Sequence, residues 1–337
     1  MRIEDKPEFS IVLAVHNLEN YVTDAIMSVI KSDFNNWELI IVDDGSEDNT
    51  HKVCQQFTDD SRIKLLSTHH QGLGSARNIG MSYTTGNYIL FLDGDDYYSK
   101  TLMSDLHLVI ANNDTDVILF AWQEMSTNGE VVTAPARFRE KGMTMAVWNK
   151  CVSRSLIMEH QLQFQEGVLF EDVTFTFELS MLAKRFMLLD KIGYYYRIRE
   201  NSISTMPMTI ELRSDIVKVL NFLKRKIEYR GLEVEEFVKI CVLDSCLWHV
   251  KAILKHNLSK KAKILLNDLF ATMAEFGCDF SEHGKSYGLK TKIEMYLIKN
   301  KLFSLCRMLR KLDCIINRHY ISVSRLHEVT GKHRVKL

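Results

Sequence analysis

The sequence predicts an α/β fold: a mostly parallel sheet flanked by helices, followed by a helical C-terminal region. Three observations carry this. Over the first 122 residues, short and almost purely apolar runs alternate with segments of helical periodicity. The runs lack the in-out alternation of a half-wet sheet, so both faces are covered, the habit of parallel strands joined by helices. From about Thr209 onward, strand signals give way to long amphipathic stretches.

FSIVLAV (Phe9 to Val15) reads as the first strand. Between Leu18 and Lys31, apolar residues at Tyr21, Val22, Ala25, Ile26, Val29 and Ile30 share one helix face. WELIIVDD (Trp37 to Asp44) is the second strand, followed by the turn GSEDNT and a helix through Val53 and Phe57. IKLLS (Ile63 to Ser67) is the third strand, and Gly72 to Tyr83 the third helix. YILFLD follows as the fourth strand, Leu102 to Ala111 as a helix, and VILFAW (Val117 to Trp122) as the fifth strand. Ligands bind at the carboxyl ends of strands in such sheets. His16-Asn17, Asp43-Asp44 and Asp93-Gly94-Asp95-Asp96 are therefore expected at one edge.

Beyond Trp122 the pattern loosens into a hairpin around Thr127-Asn128-Gly129, then WNKCVSRSLI, then a helix opening on Glu171-Asp172. The aromatic segment KIGYYYRIRENSIS follows, and Pro207 marks a break. Four helical stretches come next: DIVKVLNFLKRKI, EEFVKICVLDSCLWHVKAIL, KKAKILLNDLFATMAEF and KTKIEMYLIKNKLFSLCRMLRKL. The domain division is placed there, with residues 1–207 as one domain and 208–337 as a helical region.

Hydrophobic residues make up 46% and charged residues 26%, the composition of a soluble globular protein. Lys plus Arg (43) balances Asp plus Glu (43), but Lys285 to Leu337 holds 13 basic against 3 acidic residues. That basic tail, amphipathic from Lys290 to Arg318, predicts contact with an anionic surface such as a membrane interface, or else a solvated helix face. With no nucleic-acid motif, nucleic acid is excluded as a partner. Seven cysteines without a C-x-x-C pair read as buried thiols of a reducing compartment. MRIEDKPEFS has no apolar signal region and no run of about 18 apolar residues occurs, so neither export nor a spanning helix is expected.

YILFLDGDD puts three carboxylates within four residues of a strand end. Oxygen ligands of this kind suit Mg²⁺ or Mn²⁺, and a solvated Asp/Gly turn is the plain alternative. Read for metal chemistry, Asp95 holds the ion, Asp96 is an acidic neighbour, and Asp93 accepts from a ribose hydroxyl.

SIVLAVHN, ELIIVDDGSEDNT, QGLGSARNIG, YILFLDGDD, WNKCVSRSLI, Glu171-Asp172 and YYYRIRENSIS occur in this order. Together, from about Phe9 to Ser204, they resemble family 2 glycosyltransferases of the GT-A fold, of the kind that builds bacterial capsule, exopolysaccharide and lipopolysaccharide. The resemblance implies a nucleotide-sugar half over about residues 1–122 and an acceptor half over about 123–207. It implies that Ala14, His16 and Asp44 contact the uracil of a UDP-sugar, His16 and Ala14 standing where the family usually has Tyr and Pro. Arg77 and Gly94 would lie by the nucleotide, with Mn²⁺ or Mg²⁺ at Asp95. Asp172 would be the base that takes the acceptor's proton during inversion, with Glu171 beside it, and an acidic pair serving a helix N-terminus is the plain alternative. Arg199 and Ser202-Ile203-Ser204 would reach the diphosphate, while Trp148 and Lys150 either line the acceptor site or are a core Trp and a solvated Lys. A lipid-linked glycan acceptor, and a place in the cytoplasm at the inner face of the membrane, complete the expectation.

Three other readings compete. A phosphotransferase with Asp93 as nucleophile wants its Asp-x-Asp near the start of the domain and a later Lys with a second acidic pair. Dinucleotide binding through Gly72-Leu73-Gly74 lacks the third glycine. A catalytically silent glycan-binding or scaffold protein of the same fold sits poorly with Asp93, Asp95 and Asp172 all present.

Overall fold

The computed structural model describes residues 6–133, 145–200, 202, 208–254, 259–278 and 300. The described residues fall into two compact units divided between residues 206 and 207. The expected site residue Ser204 and, apart from Asn300, the fourth C-terminal helical stretch and the basic tail from Lys290 to Arg318 lie outside the described residues.

The first unit is built on an eight-stranded sheet. Strands β1 (Phe9–Val15), β2 (Trp37–Asp43), β3 (Ile63–Ser67) and β4 (Tyr88–Asp93) pair in parallel in the order β3-β2-β1-β4. Helices α1 (Val22–Ile30), α2 (Thr50–Gln55) and α3 (Leu73–Ser82) connect them. Next come β5 (Tyr97–Tyr98), α4 (Leu102–Asn112) and β6 (Val117–Ser126), the strand that begins with VILFAW. Strand β6 does not lie beside β4. The four-residue β7 (Lys150–Ser153) stands between them, antiparallel to both. Then come α5 (Arg154–Glu159), α6 (Glu171–Leu182) and the long β8 (Phe186–Ile198), which runs parallel to β6, with β5 antiparallel on its outer side. The full order is β3-β2-β1-β4-β7-β6-β8-β5. Two reversals at β7 leave β6 and β8 pointing the same way as β1 and β4, so their carboxyl ends share an edge.

Alternation explains why the strands lack polar faces. Phe9, Ile11, Leu13 and Val15 of β1 pack with Val22, Ala25, Ile26 and Val29 of α1 and with Leu102 and Leu106 of α4. Val12 and, from β4, Ile89 and Phe91 point to the other layer, among Leu156 and Ile157 of α5 and Phe175 and Leu179 of α6. β1 and β2 are buried along their whole length and β4 at its four central residues, which the unbroken apolar runs encode. Ser10 and Glu38 are among the buried polar exceptions. The Ser10 hydroxyl donates to Glu38 Oε1 at 2.7 Å, and the same oxygen accepts from Thr85 N at 2.5 Å.

In the second unit, α7 (Ile210–Tyr229), α8 (Glu236–Ile253) and α9 (Lys260–Glu275) pack through Ile216, Val219, Leu223, Val242, Leu266 and Leu269, all buried. Thr209 and Ser259 cap α7 and α9 by accepting from the backbone N–H three residues on. No described helix is long and apolar enough to cross a membrane.

Candidate active site

The parallel register brings three polar strand ends together: Ala14 pairs with Val42 on one side and with Asp93 on the other, and Val15 with Asp43. Asp44 N donates to Val15 O at 2.9 Å, which carries the alignment past the strands. The Asp44 carboxylate then gathers the loop that leads into α3. It accepts from Thr68 Oγ1 at 2.6 Å, Gln71 N at 2.8 Å and Gly72 N at 2.7 Å. Burial pushes the Asp44 carboxyl up, but these hydrogen bonds and the nearby His70 outweigh it and hold it below the usual range. His16 Nδ1 lies 3.0 Å from Asp44 O, and since a carbonyl only accepts, Nδ1 carries the proton. The His16 ring lies against that of His70, centroids 4.1 Å apart and tilted by 33°.

The three carboxylates of DGDD do three different jobs. Asp93 Oδ1 accepts from Arg77 Nη2 at 2.7 Å. Asp95 Oδ2 accepts from Arg199 Nε at 2.7 Å. Asp96 is buried: its Oδ2 accepts from the Tyr194 hydroxyl at 2.7 Å and its Oδ1 from Arg197 N at 2.7 Å. Tyr194 Oη in turn accepts from Asp93 N at 3.3 Å, so β8 is tied to the β4 turn. Burial, with Asp95 and Asp93 nearby, drives the Asp96 carboxyl well above its usual range. Gly94 is required by space. A Cβ there would stand 2.7 Å from both Leu18 Cδ1 and Val15 Cγ1.

Helix α3 links this turn to α6. The buried Arg77 donates to Asp93 through one nitrogen and to Glu171 Oε1, at 2.6 Å, through the other. Asn78 Nδ2 donates to Phe164 O and to Glu166 Oε1, each at 3.0 Å, and Asn78 Oδ1 accepts from Phe164 N at 2.8 Å. Ala76 packs on Ile40 and Val42. All three residues of the Ala-Arg-Asn run are thus engaged, two of them with the segment that leads into α6. The pair Gly72 and Gly74 is explained the same way. Gly72 sits at φ +92°, and a Cβ on Gly74 would meet Gln165 O at 2.5 Å.

Glu171 and Asp172 open α6 immediately after Phe170, which holds a left-handed φ of 68°. A bulky residue in that region is strained. Asp172 is part-buried, and its carboxyl is pushed up to about 7. Burial is the main cause, then the charge of Glu171; Asp93 adds to it, while Arg77 and Lys150 pull the other way. The buried Lys150 donates to Asn149 Oδ1 at 3.0 Å and to Ala146 O. Burial pulls its ammonium far below the usual lysine range, and Asp172 opposes that fall.

The donor set can be compared with the needs of a divalent ion. Among the described residues, no group of three or more His, Cys, Asp or Glu converges as a protein-only cage. Burial first, and then the charge of Asp93, raises the Asp95 carboxyl, so this corner favours a cation. One or two carboxylates completed by phosphate oxygens and water is how Mg²⁺ is usually held. The residues fit such an ion.

Residues 10–166 match the model of Glycosyl transferase family 2. That segment is a family 2 glycosyltransferase domain. It is 28% identical over 227 residues to the glycosyltransferase GlyA of Streptococcus pneumoniae, covering 60% of this chain and 32% of GlyA. It is 27% identical over 220 residues to the uncharacterized glycosyltransferase EpsJ of Bacillus subtilis, covering 60% of this chain and 64% of EpsJ. The chain thus spans about a third to two thirds of the length of these curated relatives. Among solved structures, residues 1–349 of S. aureus TarS with UDP-GlcNAc superpose with a TM-score of 0.71 at 22% identity, covering 93% of each chain. That likeness shows the GT-A fold.

Set on this family 2 domain, most of the expected residues share one edge. Asp93, Arg77 and Glu171 form a continuous ion-paired chain, with Asp172 beside it. Asp95 and Asp96 lead to Arg199 and β8, and Ala14, His16 and Asp44 occupy the neighbouring strand ends. Ser202 is buried. Trp148 stacks on Tyr194, centroids 4.5 Å apart, and so belongs to the ring cluster behind Asp96. Sequence reading missed His70, Asn78 and Tyr194. The tyrosine lay within YYY, where nothing marks which hydroxyl turns inward.

Proposed function

We propose that the chain is an inverting glycosyltransferase that moves a hexose or N-acetylhexosamine from a UDP-sugar to a hydroxyl of a glycan acceptor. The observation that carries this reading is the Asp93–Arg77–Glu171 bridge, which fastens the donor-side carboxylate turn to the start of the helix bearing Asp172. TarS of S. aureus is named a poly(ribitol-phosphate) β-N-acetylglucosaminyltransferase, and its UDP-GlcNAc complex supports a UDP-sugar donor here.

Asp172 is the general base. The acceptor oxygen attacks the anomeric carbon as its proton passes to the Asp172 carboxylate, and the bond from that carbon to the phosphate oxygen breaks with its electron pair leaving on UDP. A base poised near neutrality combines a usable ionised fraction with proton affinity, which is what burial and Glu171 give Asp172. Glu171, fixed by Arg77, orients the helix start. Asp95, with Asp93, would hold Mn²⁺ or Mg²⁺, which supplies positive charge to the diphosphate when bound. Arg199 beside Asp95 adds a fixed positive charge on the same side. Asp44 shapes the loop under the uracil, and the rings of His16 and His70 offer it a face. Ala14 and Gly94 keep that floor low.

The acceptor is read as a lipid-linked glycan at the cytoplasmic face, with the basic tail contacting anionic membrane, supported by 13 basic against 3 acidic residues from Lys285 to Leu337. The test is a panel of UDP-sugars assayed for UDP release with Mn²⁺, Mg²⁺ or EDTA. Metal-dependent release from at least one sugar is expected, and a panel that stays intact under every condition contradicts the reading.

A further inference from the structure

The turn that leads into β7 is packed on the helix that carries Asp172. Thr176 Oγ1 donates to Met145 O at 2.8 Å, and Val147 lies in one layer with Phe175 and Leu179. Residues three, four and seven positions along a helix share a face. Counted from Asp172 these are Phe175, Thr176 and Leu179, so the segment 145–150 covers the face of α6 that Asp172 begins. The segment closes as a turn, with Lys150 N donating to Val147 O at 3.2 Å, and Asn149 O accepts from Phe120 N of β6 at 3.2 Å. β7 then enters the sheet between β4 and β6, with Leu119 beside Lys150 and Leu90 beside Cys151.

The sequence left room for a solvated lysine at position 150. The structure buries it instead, only 1% exposed. Its ammonium donates to Ala146 O and, at 3.0 Å, to Asn149 Oδ1, both neutral groups of its own turn. An ammonium taken out of water is costly unless a charge answers it. Asp172 supplies that charge: burial pulls the Lys150 ammonium down to about 7, and Asp172 pulls it back up.

Asp172 draws on the lysine in return. Burial and then Glu171, on its own helix, push the Asp172 carboxyl up, and Asp93 at the end of β4 adds to them. Arg77 from α3 and Lys150 from β7 pull it down. Asp93 and Glu171 already occupy two nitrogens of Arg77, at 2.7 and 2.6 Å. One guanidinium thus serves three carboxylates, and Lys150 is the second positive charge that acts on Asp172.

We propose that Lys150 is a positioning residue that acts through Asp172: its buried ammonium supplies the positive charge that keeps the base a carboxylate until the acceptor's proton arrives. The inference rests on the transferase reading and adds to it a residue buried away from the substrates. Turnover of the full chain is followed as UDP release from UDP-N-acetylglucosamine, UDP-glucose and UDP-galactose with Mn²⁺, between pH 5.5 and 8.5. In Lys150→Met the acid limb of the profile is expected to move up by about one pH unit, the low end of what losing a nearby opposite charge does. Turnover then falls about tenfold at pH 6 and approaches the wild-type value at pH 8.5. A purely structural loss lowers turnover by the same factor at every pH. Lys150→Gln is neutral yet still offers the turn a donor, so it moves the limb in the same direction and covers the case in which Lys150→Met does not fold. Thermal unfolding at pH 8 gives a readout free of turnover. Lys150→Met should lower the melting temperature more in the wild type than in Asp172→Asn, because only the wild type is left with a stranded carboxylate. An acid limb that neither variant moves, a loss equal at every pH, or equal melting-temperature losses in the two backgrounds overturns the proposal. A wild type that releases UDP from none of the three sugars overturns the transferase reading instead. The unfolding comparison then still decides whether Lys150 and Asp172 act on each other, so the two failures are distinguishable.

Discussion

Arg77 and Glu171, 94 positions apart in the chain, meet at 2.6 Å in a nearly solvent-free ion pair, and the free arm of the guanidinium holds Asp93. One side chain therefore couples the end of β4 to the start of α6. Removing one partner of a buried pair strands the other charge, at a cost of about 3–5 kcal/mol. Arg77→Ala is expected to lower stability by that order, as read by thermal or denaturant unfolding. Arg77→Lys offers one point charge where a planar fork spans two carboxylates, and is expected to recover only part of the loss. Wild-type stability in Arg77→Lys would show that the double contact is not what holds the turn to the helix.

Asp172 predicts a pH dependence of activity. Its carboxyl is pushed up to about 7, so transfer rises as pH climbs through that value and the base ionises. Asp172→Asn is expected to keep UDP affinity and to lower turnover by about 10²–10⁴-fold. Unchanged turnover removes Asp172 from the base role.

The same carboxyl predicts a dependence of stability on pH. Its value in the folded chain lies above the ordinary 3.8, so the native state keeps a proton that the unfolded chain releases. The stabilising contribution is complete below about pH 4 and is lost as pH rises through about 7. Asp172→Asn should therefore unfold at higher temperature than wild type at pH 8, with the gap closing toward pH 4. A gap that is equal at both pH values contradicts the assignment.

Gly94→Ala tests the packing of the carboxylate turn. The new methyl would press on Leu18 and on Val15, whose branched side chain is stiff at χ1. Overpacking of this kind costs about 1–3 kcal/mol. A lower melting temperature with weaker metal-dependent UDP binding is expected, and an unaffected protein would mean that the turn accommodates a side chain.

The parallel half-sheet was legible because its cause is local: apolar runs buried on both faces leave an unbroken signature. β3 and β4 have the bounds the runs suggest, and α3 differs from its expected span only at its caps, Gly72 and Tyr83. What the sequence hid is what depends on distant partners. Lys150–Ser153 is too short to announce itself as a strand, yet its antiparallel pairing sets where β6 lies. In the site, DGDD reads from sequence as one acidic cluster. The fold separates it into an Arg77 partner, an Arg199 partner and a buried anchor for Tyr194. Spacing along a chain gives the charges but not which cation folds back onto each. Likewise the sequence suggested a place by the nucleotide for Arg77, but gave no sign that Arg77 and Asn78 also fasten α3 to the start of α6 and its approach.

The basic tail makes a prediction of its own. Liposome flotation of the full chain and of a chain ending at Lys290 should differ on anionic vesicles and converge as salt is raised, since each basic residue near such a surface contributes about 1 kcal/mol. Equal flotation ends the membrane reading.

The central claim is that the Asp93–Asp95 turn receives a nucleoside diphosphate together with a cation. Calorimetric titration of UDP with Mn²⁺ present, with Mn²⁺ chelated, and into Asp95→Ala tests it most directly. The account predicts binding in the first case and its loss in the other two. Absence of UDP binding with Mn²⁺ present, or binding that Asp95→Ala leaves untouched, would contradict it.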